Sequence, residues 1–270
     1  MNTSPPTGTR HGFDTTLVVL GCDGSWVGPH GAGSGYLLRG AHTNLVLDLG
    51  PGTAGRLAGL MGGPEARATP TGLLDGVVIT HRHADHWSDL HSLATEASLT
   101  GRPGPLPVFA PAGGAEPTGL SGHRSLSWQV VGSGSLCSLG EFSLRFARTD
   151  HGPETLAVRV TGPGGSLGYS ADTGPNWAWS TLGEGLDVLL SEASFTVSEE
   201  GFPGHLSGRQ AGQLAERSNA GTMILTHRWP TVAAADVLVE AGEAFSGTVY
   251  QAETGATYVL KDGRVTTDGH

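Results

Sequence analysis

Cysteine is nearly absent from the 270 residues: Cys22 and Cys137 stand far apart and in no CxxC pattern. That leaves no disulfide framework and fits a reducing compartment, so a cytoplasmic protein is expected. Long apolar runs are missing too. No stretch of about 18 apolar residues exists, so no membrane span is expected, and the start MNTSPPTGTRHGFD lacks the apolar segment of a signal peptide. Basic residues are scarce, with Lys and Arg together numbering 15 against 25 Asp and Glu, a net charge of −10. No basic stripe is visible, which argues against a nucleic-acid polymer as partner. A small anion can still bind where local metal charge outweighs a negative surface.

What remains is ample for a packed core. Hydrophobic residues make up 37% and charged residues 15% of the chain, which excludes wholesale disorder. The surplus is glycine, 44 residues, mostly between apolar runs where it reads as turns. Residues 1–13 read as a disordered leader and 14–270 as a single domain. Strands are expected at Thr15–Leu20, Tyr36–Arg39, Leu45–Leu49, Val77–Thr80, Glu141–Ala147, Leu156–Val160, Leu167–Ser170, Val188–Ser191, Thr222–Thr226, Thr248–Gln251 and Thr257–Leu260. Helical spacing marks Thr53–Leu60, Trp87–Leu99, Ser207–Arg217 with Ser207 as N-cap, and Val232–Ala244. The Gly- and Pro-rich middle, Gly101–Gly119, is poorly predictable.

The chemistry concentrates in Thr80-His81-Arg82-His83-Ala84-Asp85-His86. Four potential metal ligands in six residues are hard to explain as packing: imidazole suits zinc and its neighbours, and carboxylate neutralises charge. Alternation puts His81 and His83 on one side of an extended loop, while Asp85 and His86 reach a second position. His81, Asp172 and His227 each follow a β-like apolar run. Strand ends are where a scaffold presents functional loops, so the three point to one shared site.

The HxHxDH phrase resembles the signature of the metallo-β-lactamase fold superfamily, and further motifs match in order over about residues 15–260. The resemblance implies an α/β, four-layer αββα sandwich: two mixed β-sheets flanked by helices. Asp48 in LVLDLG resembles the aspartate that supports the metal loop. His151 in TDHGPE resembles the third histidine of the first metal, Asp172 in GYSADTG the bridging aspartate, and His227 in LTHRWP the last ligand of the second metal. By this resemblance two divalent metal ions are expected, zinc, manganese or iron. The first would sit on His81, His83 and His151, the second on Asp85, His86 and His227, with Asp172 between them.

Aspartate at the bridge, where β-lactamases of the superfamily commonly have cysteine, resembles the ribonuclease Z branch. There the counterpart of His205 in GHLSG sits near the leaving group, and that of Glu192 in SEASF orients it. The phrases LGCDGSWVGP…SGYLLR and SEASF…HLSG are similar to those of bacterial cyclic-nucleotide-degrading phosphodiesterases. The resemblance therefore implies a binuclear metal-dependent phosphodiesterase for a small, anionic phosphodiester, with catalytic roles for Asp85, His205 and Glu192. Only about twenty residues separate His151 from Asp172, enough for a hairpin and no tRNA-binding arm. Relatives of this kind suggest a homodimer. Two motif regions depart from the family, Arg228-Trp229-Pro230 and Gly101–Ser135.

Other readings stay open. The same metals can activate water against a carbon ester, thioester, lactone or lactam, in a specialised biosynthetic pathway, because fold does not fix function; a binding protein that kept the metal set is a third. An intact His83 speaks against the diiron flavoproteins, which carry Glu there. His205 has a bland reading as a capping loop residue, and Glu192 as an ordinary strand-end carboxylate. The loop Gly21–Gly35 serves either phosphate approach or tight turns. Trp26, Trp87, Trp177, Trp179 and Trp229 lie near motifs and form either an aromatic rim or core packing. His11, His30, His42, His91, His123 and His270 read as surface residues.

Overall fold

The computed structural model describes residues 14–61 and 73–267. The expected leader, His11 and His270 lie outside the described residues. The first sheet comprises β1 (Thr15–Gly21), β2 (Gly35–Arg39), β3 (Asn44–Leu49), β4 (Gly76–Val78), β5 (Leu106–Ala110), β6 (Leu126–Val130), β14 (Thr257–Lys261) and β15 (Arg264–Thr267). Its order is β15-β14-β1-β2-β3-β4-β5-β6. The second comprises β7 (Leu136–Leu139), β8 (Phe142–Arg148), β9 (Leu156–Gly162), β10 (Gly165–Tyr169), β11 (Val188–Glu192), β12 (Thr222–Thr226) and β13 (Thr248–Gln251), in the order β13-β12-β11-β10-β9-β8-β7. Each sheet is antiparallel in one half and parallel in the other: β3 to β6 run parallel, as do β10 to β13.

Alternation explains the layering. In β8, Phe142, Leu144 and Phe146 turn inward while Ser143 and Arg145 face water. Those inward residues meet Leu17, Tyr36, Leu45, Leu47 and Val78 of the first sheet in a core between the sheets. The strands buried on both faces have no alternation, as the burial of every residue of Val188–Glu192 shows. Their outer faces are covered by helices. α1 (Thr53–Met61) and α2 (Leu90–Thr100) place Leu57, Met61, Leu90, Leu93 and Ala94 on the first sheet. α3 (Gly208–Arg217) and α4 (Ala234–Ala244) place Leu214, Ala215, Val237 and Ala241 on the second. The result is the four-layer αββα sandwich. Ser207 caps α3 in a reciprocal box: its hydroxyl accepts from the Gln210 N–H, and the Gln210 side chain accepts from the Ser207 N–H.

Two expectations need correcting. The helix expected from Trp87 begins at Leu90, because Ala84–His86 forms a separate 3₁₀ turn that presents Asp85 and His86. The strand expected through Thr80 leaves the ladder after Val78, and the Thr80 N–H goes to the Asp48 carboxylate instead. The middle region, Gly101–Gly119, poorly predictable from the sequence, contributes β5, and β6 follows it. Pro107 in one and the polar Ser127 and Gln129 in the other hide their strand character.

Among the described residues no helix is long and apolar enough to cross a membrane. The loop after β3 lies against the loop carrying the histidines: a Cβ at Gly50 would collide with the carbonyl oxygen of Asp85 and crowd the Gly33–Ser34 backbone. Gly50→Ala is therefore expected to lower stability in urea unfolding by about 1–3 kcal/mol and to weaken divalent-cation retention. Gly55→Ala, in α1 with open space around it, should instead raise stability by about 0.5–1 kcal/mol.

Candidate metal centre

The strand ends of both sheets converge on one place. His81 and His83 follow β4, Asp85 and His86 sit on the 3₁₀ turn, His151 follows β8, Asp172 follows β10, and His227 follows β12. One ligand atom from each of His81, His83, His151 and Asp172 lies within 4.8 Å of the others, and the same holds for Asp85, His86 and His227. All seven sequence-derived ligand candidates are thus brought together, Asp172 grouping with His81, His83 and His151. His205 also falls within this reach of Asp172 and His227.

The imidazoles are fixed from behind. His86 Nδ1 donates to Asp48 Oδ2 at 2.8 Å, and His151 Nδ1 to the Gly204 carbonyl at 2.8 Å. Thr80 Oγ1 donates to Asp48 and so accepts from His81 Nδ1 at 3.1 Å. Ser194 Oγ donates to Glu192 and so accepts from His227 Nδ1 at 3.1 Å. These partners assign the Nδ1–H tautomer to four rings and leave their Nε2 lone pairs facing a common space. His83 alone presents Nδ1, 3.0 Å from His81 Nε2 and 3.3 Å from His151 Nε2.

These atoms suit cations better than they suit one another. Bonds of about 2.0–2.1 Å at tetrahedral angles put neighbouring ligand nitrogens about 3.3–3.4 Å apart. His86 Nε2 and His227 Nε2 are 3.3 Å apart, and they stand 3.3 and 3.4 Å from Asp172 Oδ1. Asp172 Oδ1 is buried and has no hydrogen-bond partner. A buried carboxylate oxygen facing only lone pairs is costly unless a positive charge sits there. The donor set therefore fits divalent metal ions.

Charge follows burial and neighbours. Burial holds His81 well below the ordinary imidazole value, aided by His86, and it lowers His83 with help from His151. Burial opposes ionisation of Asp172, yet His227, His86 and His81 outweigh it and hold the carboxyl well below its usual range. Asp85 is lowered likewise, against burial, by His86 and His227. His86 is pushed well above its ordinary value because Asp172, Asp85 and Asp48 overcome the effect of burial. The field of these three carboxylates is one that favours any cation at His86 Nε2.

Beside the cluster, Glu192 is fully buried and accepts from the Thr173 N–H at 2.6 Å, the Leu206 N–H at 3.2 Å and the Ser194 hydroxyl at 2.8 Å. His205 Nδ1 donates to it at 3.2 Å. Burial works against protonating His205, but Glu192 overcomes this and raises it to about 9. Its ring stacks on His227 at 5.5 Å and meets His151 edge-on at 5.1 Å. Ser207, not His205, caps α3, and Glu192 holds His205 beside the cluster. A cleft of about 510 Å³ opens beside His151, lined also by Arg148, Asp150 and Gly204.

Thr80, Tyr169 and Ser194 were invisible as supports in the sequence, where the first two read as strand residues and Ser194 as a residue after a strand; the Tyr169 hydroxyl donates to Asp48 at 2.9 Å. Of the tryptophans, only Trp26 and Trp229 meet at the site, 5.7 Å apart. Trp87 packs on the first helix layer, and Trp177 and Trp179 on the second. In the Gly21–Gly35 loop, Gly24 serves close packing, since a Cβ there would strike the His227 carbonyl and ring. His30, His42 and His91 are exposed, whereas His123 is half-buried.

A family model described as a β-lactamase superfamily domain matches residues 43–228. The chain belongs to the metallo-β-lactamase superfamily. Within this superfamily it is 34% identical to an uncharacterized protein of Mycobacterium tuberculosis, covering 91% of this chain and 92% of that one. It is 27% identical to the probable metallo-hydrolase YhfI of Bacillus subtilis, over 88% of this chain and 97% of YhfI. The YhfI crystal structure superimposes with a TM-score of 0.82, covering 91% and 99%. Unliganded yeast PDE1 superimposes with a TM-score of 0.70 at 15% identity, covering 92% and 99%, a likeness of fold.

Two substitutions test the arrangement. Asp48→Asn keeps the shape but removes the charge behind His86 and Thr80, so divalent affinity in chelator competition should fall about 10–100-fold. Asp172→Ala should reduce the metal measured by elemental analysis; full retention of the unsubstituted protein's metal content would show that Asp172 is not a ligand.

Proposed function

We propose that the protein is a metal-dependent hydrolase of small phosphodiesters, with a cyclic nucleotide as the substrate type. The observation that carries this reading is the Glu192–His205 pair set against the cluster. A phosphodiester loses a basic alkoxide, which needs a proton, and His205, held by Glu192 and raised by it to about 9, can carry one. Aspartate at position 172 supports the same reading, as does the short hairpin of β9 and β10 between His151 and Asp172. A cleft of about 510 Å³ suits a small substrate. YhfI, a probable metallo-hydrolase, agrees in kind.

Divalent ions held by His81, His83, Asp85, His86, His151, Asp172 and His227 would supply an activated water at neutral pH and positive charge for the phosphoryl oxygens. The chain's own residues do the rest. Asp85, its Oδ2 held by the Ser25 N–H at 3.0 Å, orients the attacking water. Glu192 accepts the Nδ1–H of His205 and thereby positions the ring. His205 then gives its Nε2 proton to the departing oxygen as the phosphorus–oxygen bond breaks.

The test is a turnover panel on metal-replete protein, with bis(p-nitrophenyl) phosphate and cyclic AMP beside a thioester, a lactone and a β-lactam. Phosphodiester turnover is expected; hydrolysis confined to the carbonyl compounds would overturn the proposal. His205→Ala should cut cyclic AMP turnover about 10²–10⁴-fold with normal metal content. The aryl phosphodiester, whose leaving group needs no proton, should lose far less. Equal losses would remove His205 from the acid role.

A further inference from the structure

Two large apolar side chains stand out into solvent next to the cluster: Trp26 is 44% exposed and Phe202 48% exposed. Isolated exposed apolar residues need no explanation, but these two are joined by a third ring. Trp229 lies 5.7 Å from Trp26 and 5.2 Å from Phe202, nearly perpendicular to the latter, and packs at 5.6 Å on the fully buried Phe195. Phe195 thus anchors a seat from which two ring faces project.

The seat is built into the backbone that holds the proposed catalytic groups. The Trp229 N–H donates to the carbonyl of Ser194, whose hydroxyl contacts both Glu192 and His227. The ring of His205 lies 6.1 Å from Phe202 and 6.3 Å from Trp229. On the other side, the N–H of Ser25, the residue before Trp26, holds Asp85. A molecule reaching from Asp172 past His205 therefore meets the aromatic rings next. The indole N–H of Trp229 is buried with no hydrogen-bond partner. Packing alone would be served better there by phenylalanine, because an unsatisfied buried donor is a cost.

We infer that Trp26 and Phe202, seated on Trp229, form a stacking rim for the base of a nucleotide substrate. The phosphate lies toward Asp172 and the base lies against the rim. The nucleotide identity of the ligand rests on the phosphodiesterase reading; the aromatic rim itself rests on the ring geometry. Stacking tolerates any base, since each has a π-face, so the rim selects nucleotides over sugar phosphates without choosing among purines and pyrimidines.

Titration calorimetry of the metal-replete protein with adenosine 5′-monophosphate and with ribose 5-phosphate separates these contributions. The nucleotide is expected to bind more tightly than the sugar phosphate. Trp26→Ala and Phe202→Ala should each weaken nucleotide binding about 5- to 150-fold, Trp26→Phe should restore most of it, and ribose 5-phosphate should bind all these proteins alike. In cyclic AMP turnover the same loss should appear in KM. Unchanged nucleotide affinity in both alanine variants, or equal wild-type affinity for the two ligands, would overturn the rim even if cyclic AMP is hydrolysed. Loss of nucleotide binding in the variants without any phosphodiester turnover would uphold the rim and remove the phosphodiesterase reading.

Discussion

A single buried carboxylate ties this molecule together. Asp48 is fully buried at the end of β3 and takes four donors: the Thr80 N–H and hydroxyl, the His86 ring and the Tyr169 hydroxyl. Thr80 and His86 belong to the histidine-bearing loop of the first sheet, and Tyr169 comes from β10 of the second. An ionised group this deep would be very costly without such a shell. With it, three separate chain segments are drawn to one point, and any displacement of one leaves a charge under-satisfied. The fixed position of His81, and of His86 opposite His227, follows from that constraint.

The backbone adopts uncommon conformations where it meets this constraint. Asp48, Ala171 and His227 all have positive φ, at 56°, 51° and 54°. Each lies at or just beyond the end of a strand that serves the site. Left-handed backbone at residues other than glycine costs about 1–3 kcal/mol each and persists where its surroundings over-determine it. Asp48 is the unpaired residue of a bulge between Leu47 and Leu49 of β3, while Ala171 and His227 lie just beyond the ends of β10 and β12. The cost is offset by the packing of the sheets behind, which bury Leu47, Tyr169, Leu190 and Ile224 between them.

The sequence was legible where chemistry and periodicity were local. Four ligands in six residues announce themselves, and the placement of Asp172 and His227 after apolar runs points to a shared site. His151 follows a β8 whose alternation is clear, yet nothing about a lone histidine after a strand marks it as a ligand; only the resemblance picked it out. The supports were silent for a different reason. Thr80, Tyr169 and Ser194 are ordinary strand or strand-end residues by pattern, and their work depends on partners that are distant in the chain: Tyr169 reaches Asp48 across 121 positions. The rim was half legible. Five tryptophans near motifs suggested one, but neighbours in sequence face opposite sides of a layer, and three of the five went into the apolar clusters behind the sheets.

Charge accounting explains why phosphate and base would be recognised by different means. Asp48, Asp85, Asp172 and Glu192 crowd one small volume, and among the described residues no lysine or arginine is seen to hydrogen-bond any of them. An anionic substrate approaching such a site would be repelled by a chain already carrying −10. Cations held by the imidazoles would reverse that field locally, so affinity for the phosphate would rise and fall with metal content. An uncharged aromatic base is indifferent to the field. A rim of Trp26, Phe202 and Trp229 gains its energy from buried area and ring contact, which metal removal leaves in place. The two halves of a nucleotide would therefore be held by forces that respond to different conditions, chelation for one and ring removal for the other.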